Sequence, residues 1–387
     1  MKGGVGYSTV QDSRKAARAA AEAAIAGSGK PVLTFLFVTD SYEQQVVLDE
    51  VKEVVGDSKI IGLCGAGIIT VDGVFQQAVA VGTLSGADLK VATSLQGETH
   101  IDPSGAGRRA AKKLLDSGIG AGTVIVIPDG FAPGITELLC GMYDVMGPDF
   151  NYLGGGAGDN LRFFKTYQFT EEGVGSNSVA MALIGGVEIG TCIGHGWRPK
   201  GDLLVITQTE GKKIREIDAR PAFDVYSERL GGISSEEFPA VGMRYPLGTA
   251  DISGNYLIRD PIAVNEDKSI DLVTEIPANV VAHIMEGNAE KLVEAARTVA
   301  ATAARGIAQP QFALVFDCIS RYLFLGDDFG KEVAAIREEV GNSVPLLGIL
   351  TFGEIGSYRD FPQLHNKTLV LGVLGSRSGA DDGQANE

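Results

Sequence analysis

Cysteine is scarce in this 387-residue sequence: Cys64, Cys140, Cys192 and Cys318 lie far apart and form no C-x-x-C pair. That spacing supports neither a disulfide framework nor a zinc knuckle and points to reduced thiols. Basic residues are also few, 33 Lys and Arg against 49 Asp and Glu, for a formal net charge of −16. Contact with a phosphate backbone depends on basic patches that release counterions. Nucleic acid and anionic membrane are therefore not expected partners. No stretch reaches the roughly 18 to 20 apolar residues of a membrane-spanning helix, so no membrane insertion is expected. The opening MKGGVGYSTVQDSRKAARAAAEAAIAG has no apolar core between a basic start and a small-residue cleavage site. The resulting expectation is a cytoplasmic protein.

Strong catalytic motifs are missing too. There is no Ser-His-Asp order, no nucleophile elbow, no HExxH and no Walker loop. What is present is the composition of a folded protein, 44% hydrophobic and 21% charged. The chain is roughly two to three times the size of one ordinary domain.

Self-similarity organises the chain. Three apolar strands, PVLTFLFVTD, TVIVIPDG and FALVFDCISR, are each followed by a helical period, in EQQVVLDEVKEVVGD, GITELLCGMYDVMGPD and GKEVAAIREEVGN. Each helix leads to a glycine turn: KIIGLCGAGI, NYLGGGAGDN and PLLGILTFGEIG, anchored on Gly62, Gly154 and Gly348. Val32 to Gly62 and Val124 to Gly154 are both 30 residues apart. Each unit closes with an alternating strand, QQAVAVGTLSG, NSVAMALIGG or NKTLVLGVLG, and an Ala-rich or Lys/Arg-rich helix precedes it. The expected fold is α/β, a layered α+β sandwich of repeated strand-helix-strand-hairpin units, with ligands near the strand ends.

A different region runs from about Val187 to Gly287, and within it DARPAFDVYSERLG reads as a helix start with Asp218 as N-cap and Pro221 near the first turn. The expected domains are 31–218 and 219–371, with 376–387 a disordered tail.

Four segments could carry chemistry. Gly154, Gly155, Gly156 and Gly158 with Asp159 form the densest glycine cluster, suited either to a ligand or to a tight strand exit. GHGWRPKGD places His195, Trp197, Arg198 and Lys200 together, a setting for an anionic or planar ligand, or for a corner of the fold. In FDCISRYLFLGDD, Cys318 and Arg321 sit at the end of a strand, where Arg321 would activate the thiol only if the side chains meet. In FGEIG, Glu354 occupies the third turn as the equivalent of Asp159, free to pair with Arg321 or Arg198. His365, Asn366 and Thr368 follow, as turn-closing groups.

Taken in order, GGGAGDN, GHGWRPKGDLLVITQTEG and IDARPAFDVYSERLG resemble the N-terminal FIST domain and the start of its C-terminal partner, while FDCISRYLFLGDD, PLLGILTFGEIGS and LHNKTLVL resemble the rest, over roughly Pro31 to Leu371. The resemblance implies two packed FIST subdomains in a signal-sensing protein that binds an amino acid or similar small molecule. It implies an output on a separate chain, such as a histidine kinase, a chemoreceptor or a cyclase. The expected ligand site is Gly155, Gly156, Asp159, His195, Trp197, Arg198, Cys318, Arg321 and Glu354. Some relatives are haem-binding nitric-oxide sensors, which would make His195 or His365 an axial ligand. A cysteine-dependent enzyme built on Cys318 is the remaining alternative.

Overall fold

Three copies of one unit build most of the molecule, and each copy hands a hairpin to a neighbour. The structure is a computed structural model, and it describes residues 1–250, 254–357 and 361–377.

The first unit runs strand Lys2–Ser8, helix Ser13–Ser28, strand Leu33–Thr39, helix Gln44–Val55, strand Lys59–Gly65, hairpin Ile68–Thr70 and Gly73–Phe75, then strand Val79–Ser85. Its two central strands are parallel and buried apart from Lys59, because both faces of the sheet are covered. The second unit repeats this order from Lys90–Gln96 to Val179–Gly185, with Gly122–Pro128 and Phe150–Gly155 as the parallel pair. The third starts at Glu188–Gly194 and ends at Leu369–Arg377, with Ile307–Cys318 and Leu346–Thr351 as the pair. The expected repeat is thus present, and it also includes the N-terminal strand and helix that precede residue 31. Ser376 and Arg377, expected in the tail, end the last strand, and the rest of that tail lies outside the described residues.

Each hairpin leaves its own sheet. That of the first unit pairs with Leu346–Thr351 of the third. The hairpin Gln168–Thr170 and Gly173–Gly175 of the second pairs with Lys59–Gly65 of the first. The hairpin Glu354–Gly356 and Gln363–His365 of the third pairs with Phe150–Gly155 of the second. The exchange closes a ring of three six-stranded sheets with the same internal order. Their inner faces meet in one core, where Phe35 stacks on Phe312 with centroids 5.4 Å apart and Phe37 lies 6.0 Å from Phe316. The helices cover the outer faces.

The anchoring glycines are explained by this packing. A Cβ added at Gly62 would lie 1.9 Å from the Leu36 carbonyl oxygen, and at Gly154 2.0 Å from that of Val126. Only glycine lets the neighbouring backbones approach so closely.

A fourth sheet, of eight strands between Arg198 and Glu286, is inserted in the third unit ahead of the helix Ala289–Ala304 and has its own core around Ile206, Tyr226, Phe238 and Leu247. Asp218, the expected boundary, falls inside this sheet, where Ile206 pairs with Ile217 and Glu216 with Pro221. Nor is Asp218 an N-cap: the helix Ala222–Arg229 is preceded by Pro221, and the Asp218 carboxylate accepts from the Val205 N–H at 2.8 Å.

Candidate functional site

Register places three sets of residues at equivalent positions. Thr39 and Cys318 end the first parallel strand of their units and Asp129 directly follows that of the second, opposite Gly65, Thr351 and Ala157. Ile68, Gln168 and Glu354 open the hairpins. Glu354 is therefore the counterpart of Gln168, not of Asp159, which belongs to a loop that only the second unit inserts before its hairpin.

That loop explains Asp159. Its buried carboxylate accepts the backbone N–H groups of Arg162, Phe163, Phe164 and Lys165 at 2.9, 2.9, 2.8 and 3.4 Å. It holds Leu161 and Phe163 at φ of 58° and 53°, unusual for bulky side chains. The adjoining glycines are occluded by protein: a Cβ at Gly155 would lie 2.7 Å from Thr351 and at Gly156 2.5 Å from the Phe352 carbonyl oxygen. Gly155, Gly156 and Asp159 thus contact protein, and Asp159 also borders a groove with Tyr42 and Arg162.

The third unit does bring His195, Trp197, Cys318, Arg321 and Glu354 into one buried polar cluster. Arg321, fully buried, reaches it from the helix Ile319–Leu325. Its Nε donates to Glu332 Oε1 at 3.1 Å, Nη2 to Glu332 Oε2 at 2.6 Å, and Nη1 to the His195 carbonyl oxygen at 2.6 Å. Asp317 Oδ1 lies 3.2 Å from Nε. Burial alone would lower the Arg321 pKa, but the Glu332 and Asp317 carboxylates outweigh it and raise it. The guanidinium is committed to the fold and does not pair with Glu354.

Glu354 instead accepts from Thr351 Oγ1 at 2.9 Å and from the Thr368 N–H at 3.3 Å. Burial pushes its carboxyl up to about 8, against those hydrogen bonds and one with the Cys318 thiol. The Cys318 thiol is itself driven far above its ordinary value by burial and by the Glu354 and Asp260 carboxylates. Burial thus favours the neutral thiol, the less nucleophilic form of Cys318.

Neither histidine presents an open imidazole. His195 Nδ1 accepts the Trp197 N–H at 2.9 Å, and the ring also bonds to backbone of Tyr256. Burial and Arg321 lower it to about 4. His365 is fully enclosed, lowered to about 3 by burial and by Arg259 and His195, with a hydrogen bond to backbone of Gly356. These imidazoles do not fit an axial role toward haem. Trp197 is buried against Phe324, 5.0 Å away, with Lys367 Nζ 5.4 Å over its ring. Arg198 is exposed, facing a separate groove beside Asn288 and Lys291.

Sequence reading missed the residues that complete the cluster. Lys367, buried at φ 53°, forms an ion pair with Asp260 of the fourth sheet at 3.1 Å, and Ser320 Oγ donates to the same carboxylate at 2.7 Å. Glu332 had a signal: it shares the apolar stripe of its helix with Phe329, Val333 and Ile336.

Beside this cluster the fourth sheet meets the second unit at a small cleft. Lys212, Arg259, Thr274 and Glu275 face Gly134, Ile135 and Thr136 across it, with Leu364 at the third side. Thr274 ties the two sites, donating from Oγ1 to Asn366 Oδ1 at 2.6 Å. Three distant parts of the chain converge there on charged groups.

Similar proteins place the chain. An uncharacterized protein of Mycobacterium tuberculosis (strain H37Rv) is 26% identical over 395 residues, 97% of this chain and 100% of that protein. Another, of Mycobacterium bovis, is 24% identical over 238 residues, 59% of this chain and 61% of that protein. A chorismatase crystal structure is similar at a TM-score of 0.37 and 9% identity, over 90% of this chain and 94% of that one. The FIST N domain matches residues 32–220 and the FIST C domain residues 222–357. No helix among the described residues is long and apolar enough to cross a membrane. With both domains matched in order over most of its length, this chain belongs to the FIST family.

Proposed function

We propose that this protein is a small-ligand-binding sensor of signal transduction, responding to an amino acid or similar metabolite and acting through a separate chain such as a histidine kinase, a chemoreceptor or a cyclase. FIST domains are associated with sensing in signal transduction, and the finer reading rests on the cleft between the fourth sheet and the second unit. Its walls come from residues around 135, 212, 259, 275 and 364. A ligand there bridges elements that no short stretch of chain holds together, so occupancy biases their relative arrangement. The neighbouring cluster argues for binding over catalysis, because its thiol is neutral and its guanidinium fully engaged.

The test is a thermal-unfolding screen of the purified chain against the twenty amino acids, nucleotides and haemin. A ligand at 100 times its Kd adds about 2.7 kcal/mol of stability. At least one small metabolite is expected to raise the midpoint saturably. A flat response across all of them rejects the sensory reading.

A further inference from the structure

We infer that the cleft between Lys212, Arg259 and the start of the helix Ile135–Met146 is a binding site for a small carboxylate. The inference rests on the sensory reading and names the ligand group that its site takes.

Two cations in the cleft lack counter-ions. Among the described residues neither Lys212 nor Arg259 has a carboxylate within 4.0 Å, although the chain carries a net charge of −16 and most of its buried or half-buried cations are paired. Glu275 is the acid that acts on both, without forming a contact pair with either. Arg259 is oriented by backbone, its Nη1 donating to the carbonyl oxygens of Ile258 and Leu364 at 3.2 and 3.3 Å. Its Nε is buried with no acceptor among the described residues. A buried donor left unpaired is destabilising, more so on a charged group. Burial lowers both cations, Arg259 to about 10, as expected where the positive charge is incompletely compensated.

The opposite wall adds donors. The 12-residue helix Ile135–Met146 starts after Gly134, which has no side chain to cap it, and Ile135 and Thr136 line the cleft. Unpaired N–H groups and the helix dipole favour an anion there. Glu137, also in the first turn, is exposed and stands at the rim, its Oε2 3.4 Å from where a Gly134 Cβ would lie. Among the lining residues two cations face one acid, Glu275, which favours an anion. The free space is about 20 Å³, one or two water positions, so only a head group enters and any larger remainder lies in the mouth.

The test uses the full chain with sodium formate and sodium acetate titrated against sodium chloride at constant ionic strength, read by thermal midpoint and by the line width of ¹³C-formate. Wild type is expected to show a saturable response to the carboxylates beyond that of chloride. Lys212→Gln is expected to weaken it at least tenfold, and Arg259→Lys, which keeps the charge but loses Nε, to weaken it as well. Lys331→Gln, at an exposed pair with Asp328, leaves it unchanged. A response equal to chloride, or equal affinity in folded Lys212→Gln, overturns the inference. If an amino acid from the screen binds Lys212→Gln as tightly as wild type, this site is wrong while the sensory reading survives.

Discussion

Arg321 and Glu332, both fully buried, meet through two parallel N–H···O bonds of 3.1 and 2.6 Å across eleven residues of sequence. The pair joins the helix Ile319–Leu325 to the helix Phe329–Val340, and through the His195 carbonyl it also anchors the segment leading into the fourth sheet. Breaking a buried pair by removing one partner costs about 3–5 kcal/mol, because the other charge is stranded. Glu332→Ala is expected to lower the unfolding free energy by up to that amount in a urea titration, since Asp317, 3.2 Å from Nε, stays beside Arg321. A loss under about 1 kcal/mol would contradict the assignment of Arg321 to the fold.

Titration of the cluster gives stability two opposed slopes. Folded Glu354 ionises at about 8 against an ordinary 4.5. Between those values the folded state keeps a proton that the unfolded chain has released, so stability falls as pH rises from about 4.5 to 8. His365 and His195 sit at about 3 and 4 against 6.5. Below about pH 6.5 the unfolded chain takes up protons that the folded imidazoles refuse, so stability falls as pH drops toward 4. Glu354→Gln is expected to flatten the first slope and His365→Gln the second. Unchanged slopes in chemical denaturation across this range would refute both.

Thiol reactivity follows burial. Cys318 and Cys64 are buried and both thiols are raised, whereas Cys140 and Cys192 are half-buried. With iodoacetamide at pH 7.5 the expected order has Cys140 or Cys192 first and Cys318 modified only on unfolding. Peptide mapping after partial alkylation reads this directly, and early labelling of Cys318 would restore the nucleophile reading.

Glycine at the strand crossing is a packing requirement. Gly154→Ala would put a methyl 2.0 Å from the Val126 carbonyl oxygen. Overpacking of this kind costs about 1–3 kcal/mol or more. Gly147→Ala, where no atom lies within 4 Å but φ is 75°, is expected to be costly through backbone strain alone, which Gly147→Asn relieves. Gly154→Asn should show no such relief.

Asp159 is expected to control the loop it organises. Asp159→Ala removes the acceptor of four backbone N–H groups. Phe163 and Phe164, 63% and 86% exposed, should then become the first chymotrypsin sites. Cleavage at the wild-type rate would mean that the aromatic contacts of Phe163 with Phe131 and Phe352 hold the loop without the carboxylate.

Much of the fold was legible. The strands around Phe35, Val126 and Leu314 and the helices after them follow from period-2, period-3.6 and continuous apolar runs, all confined to a few neighbouring residues. The candidate site was legible only in part. GHGW, CIS-R and FGEIG do converge, yet Arg198 and Asp159 point elsewhere. Lys367, Asp260, Lys212 and Arg259 carry no local mark, since each acquires its role from a residue on another sheet.

The sequence by itself determined the threefold order of elements, the glycines at Gly62, Gly154 and Gly348, and the apolar runs where the parallel strands had to be covered on both faces. Tertiary structure alone decided that the first strand of each hairpin pairs with a neighbouring unit. It also decided that Glu354 stands where the other units have Ile68 and Gln168, and that Cys318 is sealed from solvent. The physical reason is range: periodicity and steric rules act between residues a few positions apart. The sheet that a short strand joins, and the dielectric around a carboxyl or thiol, depend on chain brought in from a hundred residues or more away.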